Sequence, residues 1–163
     1  NPSHQIGTFQ LPESQLAPFL MRIELGYPDL DAERALLRGE NRRDLLARIE
    51  PCMQPGELLA LQREAQQAHV SDALLDYVQA LVGHTRRSAD YVSGLSPRAA
   101  LALAQAARAW ALLDARKHVV PEDVQAVLPG VVGHRLSTSG TARETTVTSA
   151  DVAARLIQSV AIP

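Results

Sequence analysis

The sequence predicts a mainly α-helical bundle, and three observations carry that prediction. Of its 163 residues, 25 are alanine and 23 leucine, residue types that lose little on entering a helix. Apolar residues recur at helical spacing in several segments, most of them opened by Ser, Thr, Asp or Pro. Finally, only one stretch, Phe19 to Leu25, has convincing strand character. Hydrophobic residues make up 46% of the chain and aromatics 4%, which is enough aliphatic side chain to build a core and nearly excludes an all-β fold.

Taken in order, Phe19-Leu20-Met21-Arg22-Ile23-Glu24-Leu25 reads as one strand ending at Gly26-Tyr27-Pro28. One strand cannot stand alone, so residues 1–27 read as the end of an α/β domain whose sheet lies elsewhere. Asp29 or Asp31 caps a helix through Leu36 and Leu37 that stops at Gly39. A short helix follows from Asn41 to about Ile49. Pro51 and Pro55 bracket a linker with Cys52, and GELLALQREAQQ (56–67) forms the next helix. Ser71 caps a helix from Asp72 to about Thr85, whose stripe of Leu74, Tyr77, Val78, Leu81 and Val82 should face a core.

The strongest helix signal is Ser96-Pro97-Arg98 before AALALAQAARAWALLDAR, with Ser96 as N-cap and Pro97 in the first turn, where its missing N–H costs nothing. Val120-Pro121-Glu122-Asp123 opens another helix with acids in its first turn, running past Gly130 toward His134-Arg135. After a Ser/Thr/Gly-rich loop at 137–147, Thr148 and Asp151 frame a capping box for a last helix from about Ser149 to Val160.

Charge and cysteine usage exclude several functions. Sixteen basic against eighteen acidic residues leave a net charge of -2, too little to predict a nucleic-acid or membrane partner. No stretch approaches the roughly 20 uninterrupted apolar residues of a membrane span. The lone Cys52 cannot form an internal disulfide, which suits a cytoplasmic protein, and the first residues lack the pattern of a signal peptide. The five histidines have no i, i+4 or Cys/Asp partners at ligand spacing, so no metal site is expected. Lys117 is the only lysine and stands outside any Gly-Lys-Ser/Thr context. The chain therefore has no P-loop, and it has no Asp-Glu pair ending an apolar strand to hold Mg2+. Alone, it is not expected to be an enzyme or to bind a nucleotide tightly.

Arg98 is the most informative side chain. It stands second in its helix, where the macrodipole disfavours a cation by a few tenths of a kcal/mol; a nearby anion reverses that sign. Free N–H groups at a helix start together with a planar guanidinium suit phosphate oxygens. A solvated arginine is the plain alternative. Arg42-Arg43 and Arg86-Arg87 read as solvated pairs, and Tyr77 and Trp110, on apolar stripes, as core.

Gly94-Leu95-Ser96-Pro97-Arg98-Ala99-Ala100, then ARAWALLDARKHVVPEDV, then His134-Arg135 resemble the lid domain of MoxR-type AAA+ ATPases. VSDALLDYVQALVGHTR (70–86), Asn1-Pro2, Gly7-Thr8-Phe9 and LPESQL (11–16) are similar to the same family in the same order. The resemblance implies a helical AAA+ C-terminal lid at 28–163 and, at 1–27, the end of the α/β core with its sensor-1 and arginine-finger region. It implies that Arg98, with Ser96 and Pro97, forms the sensor-2 element reaching the γ-phosphate, and that Asn1 is the sensor-1 residue. It makes Arg86 a candidate interface residue.

The resemblance further implies ATP and Mg2+ in the parent protein, a hexameric ring in which lid and core meet, and chaperone-like remodelling of clients, often with a partner containing a von Willebrand factor A domain. Two positions depart from the family. Pro18 stands where an arginine finger is usual, in Leu16-Ala17-Pro18-Phe19. Three readings stay open there: a weak ATPase, an altered pair at 17–18, or another arginine such as Arg22 in the role. Ala115 replaces a usual glycine, with little expected effect. The competing reading is a stand-alone helical interaction scaffold without nucleotide dependence, for which Ala17-Pro18 is the best support.

Overall fold

The computed structural model describes residues 18–39, 42–136, 138–139 and 148–162. Among them seven helices follow one another: α1 (Leu30–Leu37), α2 (Arg42–Ala47), α3 (Pro55–Gln67), α4 (Asp72–Arg87), α5 (Pro97–Leu113), α6 (Pro121–Val132) and α7 (Ser149–Ser159). The expected caps form. The Asp29 carboxylate accepts from the Ala32 amide at 2.7 Å, and Ser71 and Ser96 accept from Leu74 and Ala99. Thr148 and Asp151 close their box in both directions. The 137–147 loop lies largely outside the described residues.

The core is built by α4 to α7. The α4 stripe of Leu74, Tyr77, Val78, Leu81 and Val82 is buried as expected, and meets Leu103 of α5, Val124, Val127, Leu128 and Val131 of α6, and Val152 and Leu156 of α7. On α5 the buried face is mostly alanine, at Ala99, Ala102, Ala106, Ala107 and Ala111. Small side chains bring the neighbouring backbones close, and α5 packs on α3, α4 and α6. Two extended links tie the bundle together: the His69 amide donates to the Lys117 carbonyl at 2.8 Å, and the Val119 amide returns to the His69 carbonyl at 2.9 Å.

Two expectations need correction. No strand forms over Phe19–Leu25 among the described residues. A strand needs a paired edge, and here the segment's Arg22 amide bonds instead to the Gly130 carbonyl at the end of α6, at 2.8 Å. Second, Trp110 is 42% exposed and Leu113 80% exposed on the outer side of α5, so Trp110 is not core. Tyr77 is core, its hydroxyl accepting from Gln125 at 3.1 Å. The helices α1 and α3 bury no residue, leaving Leu58 and Leu59 outside the core.

Ala115 also matters more than expected. It has φ 55°, the one positive value at a non-glycine among the described residues. Its amide donates to the Leu112 carbonyl at 2.9 Å and the Arg116 amide to the Ala111 carbonyl at 2.8 Å, the paired bonds of a Schellman turn with alanine in the left-handed position. The Cβ there opposes that conformation. Ala115→Gly is therefore expected to stabilise the fold by about 0.5 kcal/mol, the gain reduced by the freer unfolded chain, and thermal unfolding measures it.

Candidate functional site

The candidate site is the start of α5 and the loop before it. Leu95 is buried and anchors the loop; both of its backbone polar groups are taken by the end of α4. Its amide donates to the Thr85 hydroxyl at 3.0 Å, and Thr85, itself 1% exposed, passes its own hydrogen to the Val82 carbonyl at 2.7 Å. The Leu95 carbonyl accepts from Arg86 Nε at 2.8 Å. Buried backbone groups need such partners, and a threonine and an arginine adjacent on one helix supply both.

Gly94 lets the loop come this close. A Cβ at that position would lie 2.5 Å from Arg86 Cγ, 2.7 Å from its Cα and 2.9 Å from its amide nitrogen. Two of those atoms are backbone, so no rotamer change relieves the contact. Gly94→Ala is expected to cost about 1–3 kcal/mol, as overpacking does, with the thermal midpoint as the readout.

From this anchor the chain enters α5. Ser96 is occupied as N-cap, its hydroxyl accepting from the Ala99 amide at 3.3 Å, and Pro97 takes the first position. Arg98 follows, exposed, and no described residue pairs with its guanidinium. A solvent-exposed cation is thus mounted at the positive end of a 17-residue helix. This arrangement can bind an anion with the guanidinium and the helix start together.

The other candidates are dispersed. Asn1 lies outside the described residues. Pro18 sits exposed in a turn. Arg22 pairs with exposed Glu24 at 2.8 Å, a contact worth little at a surface. Arg86 has an intramolecular partner in Leu95. His134 and Arg135 meet the chain before α1: Arg135 donates to the carbonyls of Phe19, of Leu20 at 3.1 Å and of Val131, and His134 Nε2 lies 3.3 Å from the Phe19 oxygen. Burial, then the Arg135 charge, lowers the His134 pKa below that of a free imidazole, so the ring is neutral at pH 7.

At the opposite end of α5 lies an ion pair that sequence reading missed. The Arg116 guanidinium grips both oxygens of Asp123, at 2.7 and 2.5 Å, and reaches Asp114 at 2.9 Å. Asp123 is 1% exposed and also accepts from the Val120 amide at 2.8 Å. Among the described residues no group of three or more His, Cys, Asp or Glu could hold a metal ion, and no helix is long and apolar enough to cross a membrane.

Comparison with known proteins gives a consistent picture. The model of the AAA lid domain matches residues 83–156. The uncharacterized protein YeaC of Bacillus subtilis is 31% identical over 163 residues, all of this chain and 51% of YeaC. The chaperone MoxR1 of Mycobacterium tuberculosis is 35% identical over 172 residues, covering all of this chain and 45% of MoxR1. The chain thus spans about half the length of these curated relatives. A crystal structure of a candidate ATPase from Cytophaga hutchinsonii superposes with a TM-score of 0.80 at 26% identity, over the whole chain and 52% of that structure.

Proposed function

Because the chain belongs to the MoxR family of AAA+ proteins and contains its lid domain, we propose that it works as the lid of an ATP-driven, chaperone-like remodelling protein, with Arg98 as its contact to the nucleotide. The observation that carries the proposal is the exposed guanidinium of Arg98, without a partner among the described residues, on a loop held at both polar groups of Leu95. A solvent-exposed cation on an anchored loop suits an anion that comes and goes.

In this reading residues 1–27 belong to the ATPase core and 28–163 to the lid. The core supplies the P-loop and the acids for Mg2+. What the lid offers is Arg98 and the open start of α5, a donor set that fits phosphate oxygens and not a metal. Two donors of the arginine fork bind terminal phosphate oxygens when the lid closes, and loss of that phosphate removes the anion that held it closed. Neighbouring subunits of a hexameric ring, which the family resemblance implies, and a von Willebrand factor A domain partner in the cytoplasm complete the proposal.

ATP hydrolysis by the complete protein, with and without Arg98, is the test. A loss in Arg98→Ala supports the reading; unchanged turnover overturns it in favour of a helical scaffold without nucleotide dependence.

A further inference from the structure

The loop that carries Arg98 is held by two side chains of another helix, and we infer that Thr85 and Arg86 are positioning residues for Arg98. The inference rests on the role of Arg98 proposed above. It moves Arg86 from a contact with other subunits to a contact within the lid.

Three observations combine. Thr85 is buried, and its hydroxyl serves as acceptor for the Leu95 amide and donor to the Val82 carbonyl. Its orientation is therefore fixed by two bonds, and with it the height of Leu95 on the end of α4. Arg86 Nε takes the Leu95 carbonyl at 2.8 Å, which fixes the direction in which the chain leaves Leu95. Gly94 lies against the backbone of Arg86 so closely that no side chain fits. The peptide units on both sides of Leu95 are thus clamped to consecutive residues of α4, and Arg98 follows three residues later, with Ser96 and Pro97 in defined cap and first-turn conformations between. A tilt of α4 relative to α5 is transmitted to Arg98 through this clamp.

The chemistry of the clamp makes the two contacts separable. Removing the threonine hydroxyl leaves a buried amide without an acceptor. Removing the arginine side chain takes away the donor to the Leu95 carbonyl. Both let Leu95 shift, and for a group that must meet phosphate oxygens, displacement of about 1 Å costs one to two orders of magnitude in rate.

The experiment uses the complete ATPase and the variants Thr85→Val, Thr85→Ser, Arg86→Ala and Arg98→Ala, singly and with Arg98→Ala as background. Thr85→Val and Arg86→Ala are expected to lower kcat for ATP hydrolysis about tenfold, Thr85→Ser to stay near the parent, and neither loss to persist once Arg98 is absent, because residues acting through one group are not additive. Val127→Ala, a core truncation in α6, controls for general loss of stability and should not lower kcat at a temperature where it is folded. Losses that add fully to that of Arg98→Ala overturn the clamp, as does Thr85→Val activity equal to the parent. If Arg98→Ala lowers hydrolysis while the Thr85 and Arg86 variants do not, the clamp alone falls; if Arg98→Ala is itself silent, the nucleotide role falls with it.

Discussion

Replacing Asp123 by alanine is expected to lower the stability of the lid by about 2 kcal/mol, because a buried carboxylate that accepts charge-assisted hydrogen bonds is lost and Arg116 keeps only the exposed Asp114 as counter-charge. The carboxylate serves three groups at once: both ends of the Arg116 fork and the Val120 amide at the start of α6. Losing it uncaps α6 and unties the turn that joins α5 to α6. Asp114 also meets Arg116 but stands in solvent, so Asp114→Ala should cost far less. Chemical denaturation of the three proteins gives the ranking; equal midpoints for Asp123→Ala and the parent would refute it.

The same pair sets an acid limit. Burial by itself would raise the Asp123 pKa, but the Arg116 hydrogen bonds, the Val120 amide and the Arg116 charge together hold it below the usual carboxylate value. A carboxyl with a lowered pKa in the folded state stabilises above its unfolded value of about 3.9, and that contribution is lost as the pH falls through the folded value. Stability against denaturant should therefore decline below about pH 4, and the decline should be shallower in Asp123→Asn.

Much of the fold was legible because its signals are local. A serine before an apolar run caps the residue three positions on, and Ser71, Ser96 and the Thr148–Asp151 pair need nothing beyond their own turn. The α4 stripe was legible for the same reason. What sequence reading missed depends on distance or on a partner. Asp123 reads as an ordinary first-turn acid until the turn at Ala115 brings Arg116, seven residues earlier, over it. The Leu95 clamp joins residues nine and ten apart across a loop, and no spacing rule connects them. Trp110 shows the limit of periodicity, since α5 has apolar residues on two faces and the pattern does not say which one the bundle covers. The strand at Phe19–Leu25 failed for the reason that makes any single strand fail: alternation describes a surface, and pairing needs a second edge.

Arg98→Ala in the complete protein is expected to lower ATP hydrolysis about 10²-fold, the usual loss when one preorganised donor to developing charge is removed. The change should fall on kcat more than on ATP binding, because the core would hold the rest of the nucleotide. Arg98→Lys should recover part of the loss, since it restores the charge and not the planar fork. Stability provides the decisive contrast. A cation in the first turn of a helix works against the macrodipole, and the Arg98 guanidinium has no described partner to offset that. Removing it should therefore leave the lid as stable as before or about 0.3 kcal/mol more stable. Hydrolysis that falls while the thermal midpoint holds or rises marks a residue kept for its ligand; a fall in both would make Arg98 a structural residue, and ATP turnover by the 163-residue chain alone would overturn the division of labour between lid and core.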